Sequence, residues 1–119
     1  SKEPLGPLTT NNDSAWFDTV KWVTYALIEA EELGLTADNI EETAGSTEDP
    51  NILRFVGSEG TLGSDMGLPN DFAMRVIKNV GNYGEVYERN LGADSQFNLE
   101  RGQNALWNEG GLLYSPPFR

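Results

Sequence analysis

The sequence predicts a mainly α-helical segment, with about five helices and one short strand at the N-terminus. Apolar side chains recur every three or four residues over positions 16–30 and 72–87, which is the spacing of one helix face. Glycine, proline, asparagine and aspartate separate these stretches and mark where helices begin and end. One strand among five helices is not a complete small domain, so we expect the segment to pack on itself or to complete a larger α/β body.

The first twelve residues are expected to be extended. Pro4 and Pro7 oppose a helix, and Leu5 and Leu8 are suited to a single short strand. A strand needs a neighbour for its backbone hydrogen bonds, and the rest of the chain offers no obvious one.

A long first helix follows. Asp13 or Ser14 is expected to cap it, and Gly34 is expected to end it as the residue after the C-cap. Its apolar positions are Trp16, Val20, Val23, Leu27 and Ala30, widened by Phe17, Thr24 and Ile28. Because this apolar sector is broad, we expect other elements to cover it.

Two short helices are expected next. Thr36 caps the second helix, and Ile40 is its only large apolar residue, so we expect this helix to dock weakly. Asp49 and Pro50 form a favourable cap and first position for a third helix, which Gly57 ends.

A long fourth helix is expected from the cap Asn70 to about Asn90. Its apolar face carries Phe72, Val76, Val80, Tyr83 and Tyr87. Gly81 and Gly84 lie inside it and each costs about 1 kcal/mol relative to alanine, so we expect a close neighbour or a bend there.

A fifth helix is predicted after Asn98, with Leu99, Ala105, Leu106 and Trp107 as its apolar positions. The glycines at 110–111 end it. The extended tail at 116–119 is apolar, so we expect it to pack on the rest of the molecule.

Composition excludes several classes of function. The net charge is −11, from 19 acidic and 8 basic residues, which opposes binding to nucleic acid or to an anionic membrane surface. The chain contains no cysteine and no histidine, so zinc sites, thiol catalysis and serine–histidine–aspartate triads are excluded. We therefore expect no catalytic residue, no metal and no cofactor, and the ligand-binding residues remain unknown.

An acidic stretch is the first candidate site, and its members are Glu29, Glu31, Glu32, Asp38, Glu41, Glu42, Glu48 and Asp49. Paired carboxylates serve glycoside hydrolysis, but adjacent glutamates point to different helix faces. We interpret the stretch as solvated surface. A hydrolase would instead require a carboxylate whose pKa is strongly raised in a cleft.

Other candidate sites are weaker. The glycine-rich loop at 57–69 lacks lysine, so we predict a tight connection and not a phosphate cradle. The polar residues at 11–13 and 94–96 lack the pattern of a calcium loop and suit turns and caps. The three tryptophans are expected in the core, and Tyr83 and Tyr87 are expected to pack more than to line a polar seam with Glu88 and Arg89. Scattered lysines and arginines are expected to pair with acids three or four residues away.

Six stretches of the sequence resemble the general L-amino-acid-binding proteins of ABC importers, which are periplasmic family 3 solute-binding proteins. The stretches follow the family order and lie at 1–7, 16–22, 26–34, 81–90, 100–107 and 110–119. The resemblance implies the C-terminal part of a two-lobed α/β fold that clamps an amino acid between its lobes. It assigns 1–12 to a strand re-entering the first lobe, 13–57 to helices packing on that lobe, and 58–119 to a C-terminal helical extension.

The resemblance also implies a function. The L-amino acid would be held by segments outside this chain, because the family's carboxylate-binding arginine and amine-binding acid have no matching motif here. Its implied location is the periplasm, and its implied partner is an ABC permease in the inner membrane. Lobe closure around the ligand would select the conformation that the permease accepts.

Two alternatives stay open. The chain could be a free-standing acidic helical interaction module without ligand binding, or, more remotely, a hydrolase. The lone strand and the broad apolar helix face also allow copies of the chain to associate with one another.

Overall fold

The computed structural model describes residues 5–119, and its longest element is helix α1, Ser14–Glu32. Asp13 caps this helix, since its side chain accepts a hydrogen bond from the backbone N–H of Trp16 at 3.0 Å. Gly34 follows the C-cap and donates its N–H to the carbonyl of Glu31 at 3.1 Å, as in a Schellman motif. The predicted start and end of the first helix are confirmed.

Three short helices follow: α2, Ile40–Ser46; α3, Pro50–Val56; and α4, Leu62–Asp65. Asp49 caps α3 by accepting the N–H of Asn51 at 2.9 Å, as predicted. Two expectations were wrong. Ile40 has no exposed surface and anchors α2 firmly, and α4 lies within the stretch predicted to be a loop.

The predicted fourth helix is two helices, α5, Phe72–Val80, and α6, Tyr83–Asn90. Gly81 separates them with φ +84° and ψ −178°, a conformation that no helical residue adopts. Asn82 then begins α6 through a reciprocal capping box with Glu85. The break therefore results from a glycine followed by a strong helix start.

The predicted fifth helix is absent, and the correction has a physical reason. Asn98 has φ +49°, and the chain beyond it forms only two 3₁₀ turns, Gly102–Asn104 and Trp107–Glu109. The carbonyl of Ala105 accepts the N–H of Leu113 at 3.1 Å, so the returning chain takes a backbone group that a helix would use.

Residues 5–12 form no strand, contrary to the fold predicted for the N-terminus. The described part of the chain supplies no neighbouring strand here, and without a ladder of hydrogen bonds an extended segment is not a strand. Residues 1–4, the rest of the predicted strand, lie outside the described residues. The mainly helical class is nevertheless confirmed.

One core joins α1, α2, α3 and α5 with the C-terminal tail. Its buried members are Ala26, Ala30, Leu35, Ile40, Phe55, Val56, Phe72, Ala73, Ile77 and Phe118. Phe118 closes the core, with its ring centroid 4.9 Å from that of Phe55 and 5.2 Å from that of Trp22. The prediction that the apolar tail packs on the rest of the molecule is confirmed.

Candidate functional site

A cavity of about 330 Å³ lies between α1, α3 and the C-terminal tail. It is lined by Glu29, Glu32, Leu33, Asn51, Arg54, Trp107, Tyr114, Ser115, Pro117 and Phe118. The tail forms one wall, since Ser115 is 4% exposed and Phe118 is 5% exposed. The cavity therefore depends on where the tail packs.

Glu29 is the chemically unusual group in this cavity. The pKa of Glu29 is raised from 4.5 to about 7, because burial and, to a lesser extent, the nearby charge of Glu32 outweigh the opposing effect of the Ser115 hydroxyl. This result corrects the interpretation of the acidic stretch as solvated surface at Glu29, and the ion pair of Glu31 described below corrects it at a second position. It also meets the condition set for a hydrolase, a carboxylate with a raised pKa in a cleft.

A second polar cluster surrounds Arg101. Its guanidinium makes a bidentate ion pair with Glu31, with nitrogen–oxygen distances of 2.5 and 2.7 Å. The rings of Tyr83 and Tyr87 lie 5.7 and 5.9 Å from the guanidinium carbon. Both ends of the ion pair are largely buried, with side-chain exposures of 18% and 15%. The cluster ties α1 and α6 to the irregular C-terminal segment.

Gly84 packs tightly against this cluster. A Cβ at this position would lie 3.0 Å from both Nη1 of Arg101 and Oε2 of Glu31. The close neighbour expected at this glycine is thus an ion pair. Tyr87 is buried, and its hydroxyl donates to the carbonyl of Glu100 at 2.9 Å. The polar seam exists, but it contains Arg101 and not Glu88 or Arg89.

The other members of the acidic stretch do not converge. Glu41 pairs with Lys78, and Asp49 caps α3. Glu42, Glu48 and Asp38 are exposed, as expected for solvated surface. Among residues 5–119, no group of three or more acidic side chains is arranged to hold a metal ion.

Two expected local ion pairs form, but they are exposed. Arg75 pairs with Asp71 at 2.9 Å, and Lys21 pairs with Asp18 at 3.7 Å. Arg89 instead donates to the carbonyl of Val80 at 3.1 Å. Exposed pairs of this kind contribute well under about 1 kcal/mol each.

The glycine-rich loop is a structural connection. The side chain of Asn70 donates to the carbonyls of Gly57 and Gly60 at 3.0 and 2.9 Å, and accepts the N–H of Ser64 at 3.4 Å. Asn70 therefore fastens the loop. The prediction that it caps the helix was wrong, because Asp71 occupies the N-cap position of α5. Carbonyl oxygens turned toward Asn70 do not form an anion cradle.

The stretches considered for calcium make turns and caps. Ser95 donates its hydroxyl to the carbonyl of Gly92 at 2.8 Å and accepts the N–H of Phe97 at 3.2 Å. Asp13 is occupied by the cap of α1. The predicted turn and cap chemistry is confirmed at these positions.

The tryptophans divide into two groups. Trp22 packs edge-on against Phe118 beside the core, as predicted. Trp16 is 54% exposed and Trp107 is 52% exposed, so their assignment to the core was wrong. Trp107 packs edge-to-face against Tyr114, with 6.4 Å between the ring centroids, and both residues line the cavity around Glu29.

An apolar surface lies at the other end of α1. Leu5 and Leu8 are 90% and 94% exposed, and Phe17 is 50% exposed. A groove of about 690 Å³ runs along residues 7–14 and Phe17. Leu8 and Phe17 line this groove, and the residues at 9–14 between them are polar.

Sequence reasoning missed both polar clusters. The partners Glu31 and Arg101 are 70 residues apart, so no local spacing connects them. Glu29 is brought beside Ser115 only by the tail.

Among the helices of residues 5–119, none combines the length and hydropathy needed to cross a lipid bilayer.

The fold matches part of a periplasmic binding protein of ABC transporters. It superposes on the ABC transporter / periplasmic binding protein from Brucella ovis with glutathione bound, with a TM-score of 0.89 and 44% identity, over 93% of this chain and 35% of that one. No protein-family model matches the sequence.

Particular relatives are amino-acid-binding proteins. The chain is 55% identical over 119 residues to the glutamate/glutamine/aspartate/asparagine-binding protein BztA of Rhodobacter capsulatus. It is 54% identical over 121 residues to the general L-amino acid-binding periplasmic protein AapJ of Rhizobium johnstonii, and 45% identical over 119 residues to the putative amino-acid ABC transporter-binding protein YhdW of Escherichia coli. All of this chain aligns in each case, and it spans about 35% of each relative's length.

The chain is therefore homologous, over its whole length, to amino-acid-binding proteins of ABC transporters. The resemblance stated from the six sequence stretches is confirmed, and with it the expectation of a mainly helical segment of a larger fold.

Proposed function

We propose that this chain forms the C-terminal part of a periplasmic receptor that binds L-amino acids and delivers them to an ABC importer. The observation that carries the proposal is identity of 45–55% across all 119 residues to proteins named for amino-acid binding or transport.

The arrangement of the parts is part of the proposal. Residues 1–12 are proposed to pair with a strand of the first lobe, and 13–57 to pack on that lobe, with 58–119 as a C-terminal extension. The exposure of Leu5, Leu8 and Phe17 supports this arrangement, because a lobe that covers them would remove a large apolar surface from water.

The amino acid is proposed to bind to segments outside this chain, so residues 1–119 alone are expected not to bind it. The relatives' names differ in the ligand they give, from four acidic and amide amino acids to L-amino acids in general. An ABC permease in the inner membrane is the proposed partner. Delivery to it follows lobe closure around the ligand.

A non-enzymatic role follows from the same kinship. The relatives are named as binding proteins, and the hydroxyl beside Glu29, that of Ser115, donates to the carbonyl of Pro116 at 3.0 Å. Glu29 therefore faces no activated nucleophile among residues 5–119. We assign it no catalytic role.

A chimera tests the proposal. Residues 1–119 would replace the matching third of the Rhodobacter capsulatus protein, and glutamate binding would be measured by isothermal titration calorimetry. We expect the chimera to bind glutamate within about tenfold of the parent, and the isolated chain not to bind it. A chimera that does not fold, or folds without binding, would contradict the proposal.

The alternative is a free-standing interaction module. The common core of α1, α2, α3, α5 and the tail favours it, because such a core can fold on its own. Tight binding of glutamate to the chimera would exclude this alternative, because the chain would then still be able to complete an amino-acid receptor.

A further inference from the structure

Helix α1 is covered at its C-terminal end and has an uncovered side at its N-terminal end. Towards the C-terminus, Ala26 and Ala30 have no exposed surface, and Glu31 is paired with Arg101. Towards the N-terminus, residues 14–17 are all exposed, and none of residues 5–25 is buried. The described chain therefore leaves part of α1 without a packing partner.

The uncovered part is one side of the helix. Phe17, Val20 and Thr24 share this side, because residues three, four and seven positions apart lie on the same helix face. Phe17 is 50% exposed, and neither Phe17 nor Val20 packs against the core cluster. Glu31 lies seven residues beyond Thr24 on the same side, and there Arg101 and α6 cover the helix. The same face is thus covered at one end only.

A groove of about 270 Å³ runs along this uncovered stretch. Pro7 and Thr9 line one wall, and Phe17, Val20, Thr24 and Tyr25 line the other. Lys21 also lines the groove, but its Nζ is paired with Asp18 at 3.7 Å and lies 5.6 Å from the ring centroid of Phe17. The groove therefore suits the apolar side chains of another protein surface better than a charged small molecule.

The relatives contain the structure that could cover this groove. The chain spans 35% of each relative and 35% of the Brucella ovis protein, so about two-thirds of those proteins lies outside the matched part. The groove begins at Pro7, near the end of the chain at which the first lobe joins it in the proposed receptor. On the other side of α1, Phe118 closes the core without that lobe.

We propose that the groove along Phe17, Val20 and Thr24 is the surface on which the first lobe docks, and that this docking persists without the peptide link between the two parts. The inference rests on the proposed function. Because the core of this chain closes without the lobe, the link is not needed to build this side of the interface. The link then serves to raise the effective concentration of the lobe at the groove.

A cleavable chimera tests the proposal. Residues 1–119 would replace the matching third of the Rhodobacter capsulatus protein, with a specific protease site placed immediately before Ser1, and the link would be cut after folding. Sedimentation velocity shows whether the two pieces stay together, and isothermal titration calorimetry shows whether they bind glutamate. We expect the cut pieces to remain one complex that binds glutamate.

Substitutions in the groove should separate the cut pieces. Phe17→Asp places a carboxylate in the apolar contact, and we expect it to weaken association of the pieces at least about tenfold. Leu8→Asp, at a leucine that is 94% exposed, should weaken it in the same direction. Phe97→Asp is the matched control, at a phenylalanine that is 56% exposed and lies outside the groove, and it should leave association unchanged. Circular dichroism of residues 1–119 checks that each variant is folded.

The outcomes separate this inference from the proposed function. If the uncut chimera binds glutamate but the pieces separate on cutting, the docking proposal is overturned and the proposed function stands. An equal loss with Phe97→Asp, or copies of residues 1–119 that occupy the groove in place of the lobe, would also overturn it. An uncut chimera that binds no glutamate contradicts the proposed function and this inference with it.

Discussion

The two ends of the described chain share features of composition and have opposite environments. Residues 5–12 and the strap at 114–119 both lie outside helices, both contain proline and both carry large apolar side chains. At the first end Leu5 and Leu8 are 90% and 94% exposed, whereas at the other Phe118 is 5% exposed.

The difference lies in the partner that each end finds. Phe118 enters a site built by three aromatic rings from α1, α3 and α5, and none of these comes from its own neighbourhood in sequence. Leu5 and Leu8 meet no such site within the chain. An apolar extended segment is thus buried only when tertiary structure supplies a complementary surface.

Loss of the anchor should have the largest effect. Phe118→Ala removes a ring at the centre of the core, and we expect it to lower the free energy of unfolding by about 3–5 kcal/mol. Urea unfolding followed by circular dichroism measures this. Leu112→Ala, at a leucine that is 72% exposed just before the strap, is the control and should change stability by less than about 0.5 kcal/mol. Equal losses in the two variants would show that the strap is not anchored at Phe118.

The polar attachment of the C-terminal segment should come next. Arg101→Ala leaves the largely buried carboxylate of Glu31 without its partner, and we expect a loss of about 3 kcal/mol. Arg75→Ala breaks an exposed pair and should cost less than about 0.5 kcal/mol. A double-mutant cycle with Glu31→Ala isolates the pair, and a coupling energy near zero would contradict its role.

The carboxylate under the strap should have a smaller, pH-dependent effect. The folded pKa of Glu29 is about 7, above its ordinary 4.5, so the folded state retains a proton that the unfolded state loses. Stability should therefore fall as pH rises from 4.5 to 7, by about 1 kcal/mol after allowance for solvent screening. Unfolding at pH 5 and pH 8 measures the fall.

Glu29→Gln should remove this component of the pH dependence, and Glu42→Gln should preserve it. If both variants follow the parent's pH profile, the pKa of Glu29 does not contribute to stability.

The smallest effect is expected at the exposed end. Leu8→Ala should change the stability of residues 1–119 by less than about 0.5 kcal/mol, because the side chain gains little from folding. The same substitution in the chimera should cost more, since the proposed first lobe would cover it. A large loss in the isolated chain would show that copies of the chain bury this surface, which sedimentation at several concentrations would detect.

Sequence patterns predicted the elements whose signals are local. The cap at Asp13, the end at Gly34 and the start at Asp49-Pro50 were correct, because each depends on a few adjacent residues. The fifth helix was wrong, because Ala105 bonds to a segment that returns from eight residues further on.

The sequence by itself determined the helical class, the strong helix ends and the kinship with amino-acid-binding proteins. These depend on composition, short-range spacing and word-like stretches. Tertiary structure alone decided that Glu31 meets Arg101 and that Glu29 lies under Phe118 and Ser115. The physical reason is that burial and ion pairing depend on groups far apart in sequence, whose meeting is set by how the helices pack.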